Sequence, residues 1–110
     1  MEGPVKGDVV VLPFPFSDRS ASKRRPALVL AKLSTHNDVI LCMITSKTTS
    51  DVSAVTITDA DFVNGGLPQD SNVRPNRLFT ADASLIQRVA GRLSQEKLTA
   101  VIDQVIRILK

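Results

Sequence analysis

The residues of this chain that could do chemistry are mainly basic side chains placed where strands meet loops. Lys23, Arg24 and Arg25 lie between a polar, basic segment and an apolar run that starts at Pro26. A guanidinium at the start of a buried strand can be held by the sheet while it faces solvent, and its planar set of donors fits a phosphate. The same three residues are equally compatible with a solvated basic loop that protects a strand edge from aggregation.

A second basic group lies in the segment that reads NVRPNR. Arg74 and Arg77 flank Pro75, which fixes the local backbone, and Asn76 adds an amide between them. Two arginines and an amide are therefore close together. Taken alone, the segment is more typical of a charged edge strand than of a binding site.

Other polar side chains are weaker candidates. Thr45 and Ser46 end a central apolar run and would present hydroxyls at the rim of a sheet, although on their own they indicate only a strand end. The single histidine, His36, is expected in a solvated turn rather than acting as a general base. Cys42, inside an apolar run, is expected to be a small core residue.

Familiar catalytic and metal-binding motifs are absent from the sequence. There is no HExxH, no Gly-rich phosphate loop before a helix, no GxSxG and no acidic cluster suited to magnesium. One cysteine excludes an internal disulfide and a multi-cysteine zinc site. We therefore expect no metal and no cofactor, and the pattern disfavours hydrolysis by a metal or by a Ser/His/Asp triad.

Length and composition predict one small domain. The 110 residues are enough for one hydrophobic core, so a single domain over residues 1–110 is expected. The net charge of +3 favours a polyanionic partner without identifying one. No charged leader opens the chain, and no apolar run approaches the ~18 residues of a membrane helix. These features predict a soluble, cytoplasmic protein without a membrane partner.

The hydrophobic pattern predicts several short strands before one helix. Strands are expected over 8–16, from Pro26, over 39–45, around 54–58 and over 72–80, with a bend at Pro75. A solvent-facing loop is expected over 17–25. Prolines at the end of the first strand indicate an edge or a strand exit, and the second and third runs are typical of a buried antiparallel pair.

The last seventeen residues have the spacing of an amphipathic helix. Ser94 is the expected N-cap, and Glu96 lies in the first turn, where the helix dipole favours an acid. The apolar positions that recur at three and four residues are Leu98, Val101, Ile102, Val105, Ile108 and Leu109. Short strands followed by one helix predict a mainly β fold, a small curved sheet or partial barrel.

Five segments, taken in order, resemble the MazF/PemK toxins of type II toxin–antitoxin systems. They are GDVVVLPFPFSD, KRRPALVL, CMITS, VRPNRLFTAD and GRLSQEKL, and they cover nearly the entire chain from Gly7 to the final helix. The resemblance implies a small SH3-like or CcdB-like β-barrel with a C-terminal helix, assembled as a two-fold homodimer. It also implies metal-independent endoribonuclease activity on single-stranded RNA and a cognate antitoxin, typically acidic, that blocks the RNA groove.

The resemblance also implies site residues. The arginine before the strand proline corresponds to Arg25, and the threonine that ends the central strand corresponds to Thr45. In the PemK-like branch an arginine and an aspartate two residues apart contribute, and these positions are Arg74 and Asn76 here. An amide cannot accept a proton as a carboxylate does, so Asn76 places that branch's proton transfer in doubt. The residues expected to contact RNA are Lys23, Arg24, Ser46, Lys47, Asn76 and Arg77.

Cleavage of RNA without a metal requires attack by the ribose 2′-hydroxyl, which yields a 2′,3′-cyclic phosphate and a 5′-hydroxyl. Arginine donors would stabilise the charge that develops on the phosphate. The chain has no Trp or Tyr, so base recognition is expected from the backbone and polar side chains of loops. Two alternatives remain open: a gyrase poison on the same fold, and a member that binds RNA or its antitoxin without cutting.

Overall fold

The structure, a computed structural model, describes residues 3–14, 23–34, 36–46 and 52–110, and only the backbone of Phe14 and Lys23. Within these residues the scaffold is one antiparallel sheet of seven strands with a terminal helix. The strands are β1 (Asp8–Phe14), β2 (Lys23–Lys32), β3 (Asp38–Thr45), β4 (Val55–Ile57), β5 (Phe62–Gly65), β6 (Ser71–Asp82) and β7 (Arg88–Leu93), and the helix is α1 (Gln95–Leu109). The expected mainly β fold with a C-terminal helix is confirmed, and the curved sheet forms a half-barrel.

The strands lie in the order β4-β6-β3-β2-β1-β7-β5. The second and third apolar runs form the predicted antiparallel pair, β2 with β3. β7 pairs with β1 only as far as Val11, so Pro13 lies where that side of the ladder ends, as expected of a strand exit. The hydrophobic pattern did not predict β5 or β7. β3, β2 and β1 therefore form the centre of the sheet, and β4 and β5 are its edges.

Strand alternation divides the apolar side chains between the two faces of the sheet. One face packs under α1 and forms the helix-side core. The other face forms the opposite-face core. The helix-side core consists of Val9, Leu28, Cys42, Ile44, Ile57, Val73, Leu93, Leu98 and Val101. The opposite-face core consists of Val10, Leu12, Ala27, Val29, Val39 and Leu41.

The segment around Pro75 has a strand neighbour on one side only. β4 pairs with β6 only over 71–73, so from Arg74 onward β6 pairs only with β3 among the described residues. The interpretation of this segment as a charged edge strand fits the structure from Arg74 onward. The register of β3 with β6 changes from Cys42 opposite Leu78 to Met43 opposite Arg74, which leaves residues 75–77 as a bulge. A proline is tolerated at such a position, because no ladder hydrogen bond is required of it.

The terminal helix begins as predicted. The Ser94 side chain accepts a hydrogen bond from the backbone N–H of Lys97 at 3.2 Å, and Leu98 and Val101 are buried against the sheet. The last turn differs from the expectation, because Ile108 and Leu109 are 43% and 71% exposed. In the part of the chain that the structure describes, no helix is long and apolar enough to cross a membrane.

Candidate functional site

A groove of about 600 Å³ crosses one end of the central strands. It takes residues from β1, β2 and β3 and from the segments that lead into β6 and β7. Among the described residues, every charged side chain that lines it is an arginine. The lining residues are Val11, Arg24, Arg25, Pro26, Ile44, Thr45, Ser46, Leu67, Pro68, Gln69, Ser71, Gln87 and Arg88.

Arg25 and Thr45 both border this groove. β2 and β3 pair with Ala27 opposite Met43, and continuing this register by two residues brings Arg25 beside Thr45. Both are partly buried. The two residues that the sequence placed first as catalytic candidates are thus brought together, at adjoining strand ends.

Arg25 has an incompletely satisfied guanidinium. Its Nε is buried and has no hydrogen-bond partner among the described residues. A buried donor left without a partner costs on the order of 1–3 kcal/mol, so such atoms are rare in folded proteins. An anionic oxygen bound in the groove could accept this hydrogen bond.

Arg74 lies on the same face of the sheet as Arg25 and Thr45. It is opposite Met43 in the β3–β6 register, and Met43 packs against the opposite-face core. Because residues two apart on a strand share a face, Thr45 and Arg74 share this face. Arg74 is not among the residues that line the groove, and its backbone carbonyl accepts a hydrogen bond from the Cys42 thiol at 2.9 Å. Arg74 is level with Met43, which is two residues further from the groove along β3 than Thr45.

Lys23, Arg24 and Arg25 lie within β2, so the interpretation of these residues as part of a solvent-facing loop is wrong. Arg24 is opposite Pro13 in β1, and this pairing extends the strand three residues before Pro26. Arg24 is exposed and lines the groove. The strand thus fixes the backbone of the basic residues.

The remaining residues expected to contact RNA divide into three groups. Ser46 is exposed and lines the groove. Asn76 and Arg77 are exposed in the β6 bulge and do not line it. Lys47 lies outside the described residues, as does most of the polar loop between β1 and β2.

Sequence reasoning missed the groove residues supplied by the segments before β6 and β7. Gln69 and Gln87 are exposed and line the groove, and Arg88 opens β7. No motif marks them. The only available signal was the alternation of β7, which was not recognised as a strand.

The other titratable candidates take the roles expected of them. His36 is exposed in the turn between β2 and β3, at the opposite end of these strands from Arg25 and Thr45. Cys42 is fully buried, and burial raises the pKa of its thiol to about 12. Within the described ranges, no three His, Cys, Asp or Glu side chains are grouped so that they could hold a metal ion.

Comparison with known proteins gives one family and one fold. The profile of the PemK-like, MazF-like toxins of type II toxin–antitoxin systems matches residues 5–109. MazF in a MazE–MazF crystal structure from Deinococcus radiodurans superposes with a TM-score of 0.77 at 20% identity, covering 98% of this chain and 97% of that one. Among curated proteins, no sequence matches the chain.

Two mycobacterial structures have the same fold. An endoribonuclease bound to its cognate antitoxin, from a mycobacterial species, superposes with a TM-score of 0.73 at 15% identity, covering 99% of this chain and 95% of that one. The toxin MazF-mt6 of Mycobacterium tuberculosis superposes with a TM-score of 0.72 at 20% identity, covering 93% and 95%. At sequence identities this low, the structural similarity shows a common fold and no more.

Proposed function

The chain belongs to the PemK-like, MazF-like toxins of type II toxin–antitoxin systems, and we propose that it is a metal-independent endoribonuclease that cleaves single-stranded RNA at preferred sequences. The toxins of this family are endoribonucleases. The observation that carries the proposal for this chain is the position of Arg25 and Thr45, which border one groove whose charged lining residues are arginines.

In the proposed reaction, the ribose 2′-oxygen attacks the adjacent phosphorus and the bond from phosphorus to the 5′-oxygen breaks. The products are a 2′,3′-cyclic phosphate and a 5′-hydroxyl. Negative charge accumulates on the phosphate oxygens in the transition state, and the guanidinium of Arg25 donates to them. Thr45 orients the phosphate or the 2′-hydroxyl, and Arg74, one step deeper on the same face, adds positive charge.

The proposal depends on positioning and charge rather than on a side-chain base. Among the described residues that line the groove there is no carboxylate, imidazole or thiol. The arginine guanidinium is a hydrogen-bond donor and not a base in proteins, so water takes the 2′-hydroxyl proton and supplies a proton to the 5′-oxygen as it leaves. Holding the attacking oxygen in line with the leaving group lowers the barrier without a dedicated base, and a slow reaction is sufficient for a toxin.

The direct test is cleavage of single-stranded RNA by purified protein in the presence of EDTA. We expect Arg25→Ala to lower kcat by roughly a hundredfold or more, because it removes a donor to the developing charge. Thr45→Val keeps the shape of the side chain and removes only the hydroxyl. Arg107→Ala is the matched control, because it removes one positive charge from the exposed last turn of α1, away from the groove.

Three outcomes would contradict parts of this proposal. RNA that stays intact with the parent protein would exclude cleavage. If the same purified protein then stalls added DNA gyrase, it is a gyrase poison. Cleavage that returns only with added divalent metal would exclude metal independence. Cleavage at a bond whose attacking 2′-hydroxyl is replaced by hydrogen would exclude the proposed attack.

We propose a homodimer and a cognate antitoxin as protein partners, acting in the cytoplasm where the RNA substrate is found. The Deinococcus and mycobacterial proteins of the same fold are described in complex with their antitoxins. Sedimentation equilibrium of the isolated toxin checks the dimer, and a mass of one chain at micromolar concentration would contradict it. Inhibition of RNA cleavage by the antitoxin checks the second partner.

A further inference from the structure

We propose that Gln69 and Gln87 determine sequence specificity, by hydrogen bonding to the nucleobases that adjoin the cleaved phosphate. This inference rests on the proposed nuclease function. Both glutamines line the groove that Arg25 and Thr45 border, and both are exposed to a ligand that enters it.

The backbone holds Gln87 at one wall of the groove. Its N–H donates to the carbonyl of Val11 in β1 at 2.8 Å, and Val11 itself lines the groove. The next residue, Arg88, is the first of β7 and also lines the groove. The side chain of Gln87 therefore extends from a fixed point next to a cation that can bind a neighbouring phosphate.

Gln69 is held at the other wall in a similar way. The Ser71 hydroxyl donates to the carbonyl of Gln69 at 3.0 Å, and Ser71 is buried at the start of β6. β6 and β7 lie on opposite sides of the β3–β2–β1 strands that form the middle of the groove. Gln69 and Gln87 thus enter the groove from opposite sides of the strands that carry the Arg25–Thr45 pair.

The surfaces between the two glutamines suit an unpaired base. Val11, Pro26, Leu67 and Pro68 contribute apolar surface, and a volume of about 600 Å³ is within the range of small-molecule sites, about 300–1,000 Å³. A base could lie against this surface with its edge turned to an amide. Glutamine offers one acceptor and two donors, so it distinguishes the edges of different bases.

The arginines favour RNA as the occupant over a neutral ligand. The charged residues of the described lining are Arg24, Arg25 and Arg88. Because they are distributed over β2 and β7, they suit a ligand with several separate anionic groups better than a single anion. A single strand supplies a phosphate for each cation and a base for each amide. Recognition of splayed bases by polar side chains is the usual way in which single-stranded RNA is read.

The test is the cleavage pattern on an RNA pool that contains every short sequence, with the 5′-hydroxyl ends mapped by sequencing. Gln69→Glu and Gln87→Glu each replace an NH₂ donor by an acceptor. We expect each variant to change the preference at a nucleotide adjoining the cleaved bond by roughly tenfold, toward a base with two adjacent donors such as guanine. Gln69→Ala and Gln87→Ala should lose preference at the same positions without the added charge.

The control is Gln95→Glu, which makes the same substitution on α1. The Gln95 amide bonds Thr99 on the same helix at 3.3 Å, outside the groove. This variant should keep the parent cleavage pattern. If both groove variants also cleave with the parent pattern, the inference is overturned.

A binding measurement separates this inference from the nuclease proposal. If the parent protein does not cleave RNA, the affinities of a panel of deoxy-substituted oligonucleotides still report base preference. If Gln69→Glu or Gln87→Glu then changes the base preference in binding, the base subsite is supported although the nuclease function is rejected. Equal affinity for all bases would overturn the subsite as well.

Discussion

Cys42 is a residue whose chemistry the fold changes strongly. It is fully buried in the helix-side core, and its thiol donates to the Arg74 carbonyl beside the β6 bulge. Burial raises the pKa of the thiol from 9.0 to about 12. The thiol is thus neutral at ordinary pH, and it acts as a donor at the point where β6 places Arg74 on the face of the Arg25–Thr45 pair.

This raised pKa predicts a loss of stability at high pH. The thiol in the unfolded chain loses its proton near pH 9, whereas the folded thiol keeps it until about pH 12. The unfolded state therefore binds fewer protons across this interval, and the free energy of unfolding should fall by up to about 1.4 kcal/mol per pH unit. Urea unfolding at pH 7, 9 and 10 checks this. In Cys42→Ala the free energy of unfolding should fall less steeply between pH 9 and 10. An equally steep fall in the two proteins would contradict the attribution to the Cys42 thiol.

At the residue scale, the sequence singled out two residues that the structure places together in the groove, Arg25 and Thr45, and did not single out the residues at its walls. Arg25 and Thr45 are next to recognisable strand ends, so a pattern could locate them. Gln69 and Gln87 reach the groove only because chain segments far apart in sequence enter β6 and β7 beside it. No local spacing encodes this, and glutamines in exposed loops carry no signal of their own.

At the scale of elements, the approach of β5 to β7 closes one edge of the sheet. Gly65 has a φ of +66°, and a Cβ atom there would lie 2.2 Å from the carbonyl oxygen of Ala90. A Cβ atom added at Gly91, on the neighbouring strand, would lie 2.6 Å from the carbonyl oxygen of Asn64. Both contacts are with backbone, which cannot move aside. Two glycines therefore allow an approach that side chains would prevent.

Gly65→Ala should accordingly destabilise the fold. The left-handed backbone and the contact with Ala90 each cost energy, and together we expect a loss of about 2 kcal/mol or more. Gly3→Ala is the control, because the nearest atom to its added Cβ is the Lys32 Nζ at 3.8 Å. Thermal unfolding of the two variants gives the comparison. Equal melting temperatures would show that the β5–β7 contact can relax.

The elements that the pattern failed to predict share a physical reason. β5 is a four-residue edge strand, mostly exposed, and its FVNG sequence is too short to show alternation. β7 contains Gly91 and two arginines, so its composition is unlike that of a typical strand. The start of β2 was hidden in the same way, because three basic residues interrupt the apolar pattern where the groove begins. Long buried strands and the amphipathic helix were predicted because tertiary packing and local pattern agree there.

At the scale of the whole molecule, the net charge of +3 is small, and its distribution is more informative than its size. The described groove lining contains three arginines and no carboxylate. A polyanion is thus attracted to one end of the sheet although the chain as a whole is only weakly basic. The predicted consequence is that the groove arginines contribute most of the salt dependence of RNA binding.

Binding of a non-cleavable, deoxy-substituted single-stranded RNA measures this dependence. Each phosphate neutralised in a single strand contributes about 0.7 to the slope of log affinity against log salt concentration, so three groove arginines predict a slope of about −2. Arg24→Ala, which removes an exposed groove arginine outside the proposed catalytic pair, should reduce the slope by about 0.7. Arg107→Ala removes the same charge from the end of α1 and should leave the slope unchanged. Fluorescence anisotropy at several potassium chloride concentrations provides the slopes, and an equal reduction by both variants would show that RNA responds to total charge rather than to the groove.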